Sequence, residues 1–212
     1  MAKKYKGTFI TLEGIEGAGK STHMDYIASL LESSGKKVVC TREPGGTRTG
    51  NELRKILLFR KKGYQINNIT ELLLMFAARQ QHLDEVIRPA LIAGKTILCD
   101  RFTDSTFAYQ GGGRKIKPEV IAQLARIVHP DIKPDLTLLF DLPVRAGLER
   151  ANNRSKPDSF ESEKAAFFER ARKAYLKIAK SEPRRVKVID AKKDIETVQL
   201  SIMKILKSKK LC

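Results

Sequence analysis

Gly14-Ile15-Glu16-Gly17-Ala18-Gly19-Lys20-Ser21 decides how this chain is read. An apolar run, Thr8-Phe9-Ile10-Thr11-Leu12, precedes it and reads as a buried strand. After it, residues 22–31 carry helical periodicity in Met24, Ile27, Ala28 and Leu31. Strand, glycine-rich loop, Lys-Ser and helix make the P-loop arrangement. The glycines let the backbone curl so that several N–H groups face phosphate oxygens, and the helix N-terminus adds partial positive charge. Lys20 is placed to reach the β- and γ-phosphates, and the Ser21 hydroxyl to ligate Mg²⁺. The expected nucleotide-binding loop therefore runs from Gly14 through Ser21 to Thr22. The plain alternative, a glycine turn that packs a helix on a strand, leaves Lys20 unexplained.

Two segments are expected to flank this loop. Residues 37–41 form a second strand, which delivers Thr41-Arg42-Glu43-Pro44-Gly45-Gly46 to the carboxyl edge of the sheet, where open α/β folds bind ligands. Pro44 and the glycine pair predict a shaped loop. Arg42 suits an anion held bidentately. Glu43 suits an arginine or a metal-bound water, and a polar turn with a local ion pair is an equal alternative. Residues 96–99 form a third strand that ends in Asp100-Arg101. Asp100 at that tip is placed for Mg²⁺ or its waters rather than as a helix cap, a task Asp104 or Ser105 can perform. Arg101 faces the same crevice. Residues 103–110 read as a short helix carrying Ser105, Tyr109 and Gln110, broken by Gly111-Gly112-Gly113, with Tyr109 a buried aromatic.

Further out, strands and helices alternate, which predicts a parallel sheet covered on both faces within one domain. A helix is expected over residues 51–59, with Leu53, Ile56 and Leu57 inward. A long one is expected over 70–91, with Leu72, Leu73, Met75, Phe76, Leu83, Val86, Ile87 and Leu91 as its stripe and a bend near Pro89. Arg79 lies beside that stripe and needs an internal carboxylate or a ligand. A helix over 118–128, a strand over 136–141 and a helix over 143–151 follow. Arg150 and Arg154 are four residues apart and share a face. Residues 152–159 are polar and aperiodic and read as part of a mobile lid spanning about 150–160. Asp158-Ser159-Phe160-Glu161 reads as a capping box opening a helix to about residue 180, with Phe167, Phe168, Ala171, Tyr175 and Ile178 inward. A fifth strand over 186–189 and a helix over 195–206 complete the pattern.

The charge of +17, from 41 Lys and Arg against 24 Asp and Glu, points to polyanionic ligands. The basic residues fall in separate clusters rather than one stripe, as solvated faces do. Cys40 and Cys99 sit in apolar strands and are expected as buried reduced thiols of a cytoplasmic protein. No Cys/His spacing suits zinc, and no apolar stretch suits a membrane span or a signal sequence. His23, His82 and His129 are scattered and read as surface or satisfied histidines.

Together these pieces describe a Mg–nucleoside triphosphate site facing a second, arginine-lined anion site, an arrangement suited to phosphoryl transfer. The chain resembles the bacterial thymidylate kinases over essentially its whole length. The resemblance is carried by Glu13 to Thr22, by Thr41-Arg42-Glu43-Pro44-Gly45-Gly46-Thr47, by Phe76-Ala77-Ala78-Arg79 and by Asp100-Arg101-Phe102. Ser105-Thr106-Phe107-Ala108-Tyr109-Gln110-Gly111-Gly112-Gly113 and Phe167 to Leu176 complete it. It implies a nucleoside monophosphate kinase-like three-layer α/β fold with a five-stranded parallel sheet in the order 2-3-1-4-5, and a homodimer. It also implies ATP and Mg²⁺ as reactants and transfer of the γ-phosphoryl to dTMP, giving dTDP. By the same resemblance Glu16 approaches the sugar 3′-hydroxyl, Arg79 bonds a thymine carbonyl, and Arg42 and Arg101 hold the acceptor phosphate. Ser105, Thr106, Tyr109 and Gln110 line the thymidine pocket, with Tyr109 crowding the 2′ position. The P-loop carries no arginine, which implies the form of the family with lid arginines, here Arg150 and Arg154.

Two positions depart from the family pattern. A phenylalanine usually stands four residues before the arginine matched by Arg79; here it is Met75, followed by Phe76, so either Met75 makes a softer contact with the base or Phe76 serves. The lid usually has an arginine after the aspartate matched by Asp158; here it is Ser159, which moves its task to Arg154. The rival readings are another nucleoside or nucleotide kinase, a nucleic-acid-associated P-loop ATPase prompted by the charge, and a non-catalytic nucleotide binder. Against nucleic acid, no reading helix or aromatic stacking sheet is recognisable.

Overall fold

Four long-range strand pairings, all parallel, build the frame of this computed structural model, which describes residues 5–58, 65–152, 160 and 163–212. The strands are β1 (Thr8–Glu13), β2 (Val38–Arg42), β3 (Thr96–Asp100), β4 (Leu136–Asp141) and β5 (Val186–Asp190), in the spatial order β2-β3-β1-β4-β5. The central strands are apolar on both faces because helices cover both. Ile10 and Leu12 of β1 face α1 (Lys20–Ser33) and α9 (Ile195–Ser208), through Ile27, Leu31, Ile202 and Leu206. Phe9 points the other way, onto Leu83, Ile87, Leu91 and Phe102. Beside it, α8 (Ala165–Ser181) packs Phe167, Phe168, Ala171 and Tyr175 against Leu139 and Val186.

The register sets the site. Arg42 of β2 lies opposite Asp100 of β3, and Leu12 of β1 lies opposite the same Asp100. Three strand tips therefore end side by side, next to the loop between β1 and α1.

Several sequence expectations need correction. Cys40 is exposed, because β2 is an edge strand covered less well than the centre, whereas Cys99 in β3 is buried and its thiol is pushed up by that burial. The long helix divides into α3 (Asn68–His82), a π-helical turn over Leu83–Ile87 and α4 (Arg88–Ile92). Pro89 sits in the first turn of α4, where its missing N–H does no harm; in one unbroken α-helix its ring would meet the carbonyl four residues back. Leu73 of α3 and Ile56 of α2 (Arg48–Leu58) are exposed rather than inward, and Ile127 of α6 (Pro118–Val128) is exposed as well. The glycine triplet does not break its helix. After α5 (Thr103–Thr106) a second π-helical turn spans Phe107–Gly113 and includes all three glycines. A Cβ on Gly112 would lie 2.8 Å from the Arg170 carbonyl oxygen, and one on Gly113 2.3 Å from the Phe167 ring, so the triplet lets α8 approach closely. The expected capping-box residues Asp158, Ser159 and Glu161 lie outside the described residues, and the described helix begins at Ala165. Among the described residues no helix is long and apolar enough to cross a membrane.

Candidate active site

The loop from Gly14 to Gly19 is shaped by left-handed glycines, Gly17 at φ 72° and Gly19 at φ 86°. A Cβ on Gly17 would stand 2.0 Å from the carbonyl oxygen of Gly147 in α7 (Val144–Asn152), so both the torsion and the contact exclude a side chain. Ile15 and Ala18 are buried beneath the loop, and Gly19 caps α1. Lys20 donates to the carbonyls of Gly14 (3.1 Å) and Ile15 (3.2 Å). Burial, and next the neighbouring Arg101, lower the lysine to about 8. Ser21 and Thr22 are exposed in the first turn of α1.

Ser21 shares a cleft with Asp100, Thr41, Arg42 and Gly46. Oδ1 of Asp100 is buried without a hydrogen-bond partner. An orphaned carboxylate oxygen facing a hydroxyl beside a phosphate-type loop fits a hard divalent cation or its water. Arg42 is exposed on the rim of this cleft.

A second pocket opens behind it, lined in part by Glu16, Glu43, Met75, Arg79, Arg101, Ser105, Thr106, Tyr109 and Gln110. Arg101 holds its centre. Nη2 donates to Glu16 (2.7 Å) and Tyr109 (3.1 Å), and Nη1 meets the Gly14 carbonyl (3.0 Å), Ser105 and Tyr175 (both 3.2 Å). Tyr109 also donates to Glu16. Burial works against the charge of Arg101, but Tyr109 and Glu16 outweigh it and hold the guanidinium well above its ordinary value. Arg101 has φ 72°, a left-handed conformation that costs a side-chain-bearing residue about 1–3 kcal/mol. Behind it Glu13 is fully buried; burial, and then Asp104, push its carboxyl up to about 7, against the opposing pull of Ser105 and Arg101.

At the far wall Arg79 lies on the faces of Phe76 and Phe102, 4.9 and 5.0 Å from the ring centroids. Its Nε donates to Glu43 at 2.7 Å and Nη2 to Thr106 at 3.0 Å, while Nη1 is buried without a partner. Glu43 also meets His82, which bonds Thr41 in turn. Burial raises the Glu43 carboxyl, yet Arg79 and His82 outweigh it and hold it below the ordinary range. The amide nitrogen of Gln110 donates to Glu71 at 3.0 Å, and Arg114 bonds both oxygens of that carboxylate.

Of the two residues offered for the base, Met75 lines the pocket and Phe76 does not; Phe76 packs in the core with Leu72 and Ile121. Arg150 donates to the Ala191 carbonyl at 3.0 Å, and Arg154 lies outside the described residues. Sequence reasoning missed the supporting carboxylates Glu13 and Glu71. For Glu71 a signal existed: Glu71, Met75 and Arg79 stand four apart and share one helix face.

The thymidylate kinase family model matches residues 12–202. The chain is 54% identical over 200 residues to a thymidylate kinase of Pseudomonas syringae, covering 94% of this chain and 95% of that one. It is 54% identical over 198 residues to a thymidylate kinase of Pseudomonas putida, covering 93% and 95%. Among solved structures, the thymidylate kinase from Ehrlichia chaffeensis superposes with a TM-score of 0.77 at 35% identity, over 94% of this chain and 98% of that one. With a matching sheet order, a phosphate-type loop and an arginine-lined pocket already in place, this chain belongs to the thymidylate kinase family.

Proposed function

We propose a division of labour among the residues above for the reaction of this family, transfer of the γ-phosphoryl of ATP to dTMP, giving dTDP. Residues 14–22 cradle the ATP phosphates with backbone N–H groups and the Lys20 ammonium. Ser21 and Asp100 would hold Mg²⁺, which when bound neutralises phosphate charge. Arg101 and Arg42 draw in the acceptor phosphate opposite the γ-phosphate, and Glu16 receives the sugar 3′-hydroxyl. Ser105 and Thr106 shape the pocket floor, and Tyr109 crowds the 2′ position. Met75 contacts the base. Arg150, in the last turn of α7, and Arg154 serve the transferred phosphoryl.

One observation carries the base assignment. Arg79, on the pocket lining, has a buried and unpartnered Nη1, while Glu71 engages the Gln110 amide nitrogen and so turns the amide oxygen the other way. One donor beside one acceptor complements a thymine O4 and N3–H. The phosphoryl-transfer role of Arg101 is tested by Arg101→Ala: dTMP turnover is expected to fall by about 10³-fold while ATP binding survives. Near-normal turnover would refute the role.

The single five-stranded sheet supports one domain. A homodimer is supported by exposed apolar side chains on adjacent helices, Ile56 of α2 and Ile69 and Leu73 of α3. A protomer mass in light scattering at micromolar concentration would remove that reading.

A further inference from the structure

Glu13 ends β1 and is buried behind Arg101, away from the pocket wall. We infer that Glu13 is the positioning residue for Arg101, fixing its backbone through the Phe102 N–H and its guanidinium through the hydroxyls of Ser105 and Tyr175. The inference rests on reading Arg101 as the ligand of the acceptor phosphate.

The two carboxylate oxygens divide the work. Oε1 accepts from the Phe102 backbone N–H at 2.8 Å. That amide belongs to the peptide immediately after Arg101, the residue held at φ 72°, so the bond pins a conformation a side-chain-bearing residue otherwise avoids. Oε2 accepts from Ser105 at 2.5 Å and Tyr175 at 3.0 Å. Nη1 of Arg101 approaches the same two hydroxyls, each at 3.2 Å. A guanidinium only donates, and Glu13, once ionised above the value of about 7 set by its burial and Asp104, only accepts. Each hydroxyl has one proton, and the two lie 2.7 Å apart, so one proton turns to Glu13 and the other to Glu13 or across the pair, which leaves lone pairs for Arg101.

An isosteric amide cannot do both tasks. In Glu13→Gln, an amide nitrogen facing the hydroxyls forces one of their protons toward the arginine. An amide nitrogen facing Phe102 sets donor against donor. Either orientation releases one of the two restraints. Because the group sits a layer away from substrate, its loss should misplace Arg101 and reach the ATP loop only through the charge it lends Lys20.

The experiment is steady-state kinetics of Glu13→Gln, Tyr175→Phe and the double variant, with binding of a fluorescent ATP analogue and thermal melting alongside. Glu13→Gln is expected to lower kcat on dTMP by about 10²-fold, with ATP-analogue affinity falling far less, through Lys20 alone. Tyr175→Phe should lose less, and the double variant should be no worse than Glu13→Gln, since both act through one arginine. Losses that multiply in the double variant, or an unchanged kcat in Glu13→Gln, overturn the inference. If Glu13→Gln does not fold, Tyr175→Phe decides alone: a lowered kcat at unchanged ATP affinity supports the relay, and an unchanged kcat defeats it. Arg101→Ala is measured beside them. Its near-normal turnover would defeat the reading of Arg101 itself. A crippled Arg101→Ala beside an unimpaired Glu13→Gln would defeat only the role given to Glu13.

Discussion

The two ends of the cleft are built by opposite means. On the roles proposed above, the ATP end is mainly backbone: a curled loop and a helix N-terminus, joined by the Lys20 ammonium, which burial and Arg101 lower to about 8. The acceptor end is side chains: Arg79 and Arg101, each locked to a carboxylate, with Arg101 held well above its ordinary value. Backbone donors recognise phosphate, which every nucleoside triphosphate shares. Oriented side chains can distinguish one base from another, because a mismatched donor or acceptor is left buried and unpaired.

Glu71→Gln should break this contrast at the acceptor end. An amide at position 71 offers its own N–H₂ to Gln110, whose amide can then turn its nitrogen to the pocket and meet the bare N3 of cytosine. The preference for dTMP over dCMP, read as the ratio of kcat/KM values, is expected to narrow by about tenfold. An unchanged ratio would show that Glu71 does not set the amide. A smaller effect sharpens the contrast from the ATP end. Lys20 titrates at about 8 in the free protein, and bound phosphates raise it. ATP affinity is therefore full below that pH and declines as pH rises through it, by several-fold across roughly one to two units. Affinity for dTMP, resting on guanidinium groups, should hold over the same range. Calorimetric titrations across the alkaline range would check both, and a parallel decline would erase the distinction.

The same contrast explains what could be read from the residues alone. The P-loop is contiguous, so Gly14 to Ser21 announces its chemistry, and the strand alternation leads directly to the sheet. The acceptor end is assembled across long separations: Arg101 meets Glu16 from 85 residues away, and Tyr175 meets Glu13 from 162. No local pattern encodes such pairs. Arg79 could be seen to need a partner, but Glu43 was only one of several candidates, and family resemblance supplied the roles. Helix faces mislead at Leu73 and Ile56, where apolar periodicity exceeds what the core covers. Phe76 was ambiguous because adjacent positions on α3 differ by about 100° in direction, enough to put Met75 on the pocket and Phe76 in the core.

The wide turn at Phe107–Gly113 carries Tyr109 and Gln110, two walls of the arginine-lined pocket, and its glycines admit α8. Such turns arise when a single residue is inserted into a regular helix. Removing one residue there would restore ordinary winding and improve local helix geometry, yet it would swing every later side chain around the axis. An engineer who tidies irregular helices would thus dismantle this pocket and unseat α8 as well.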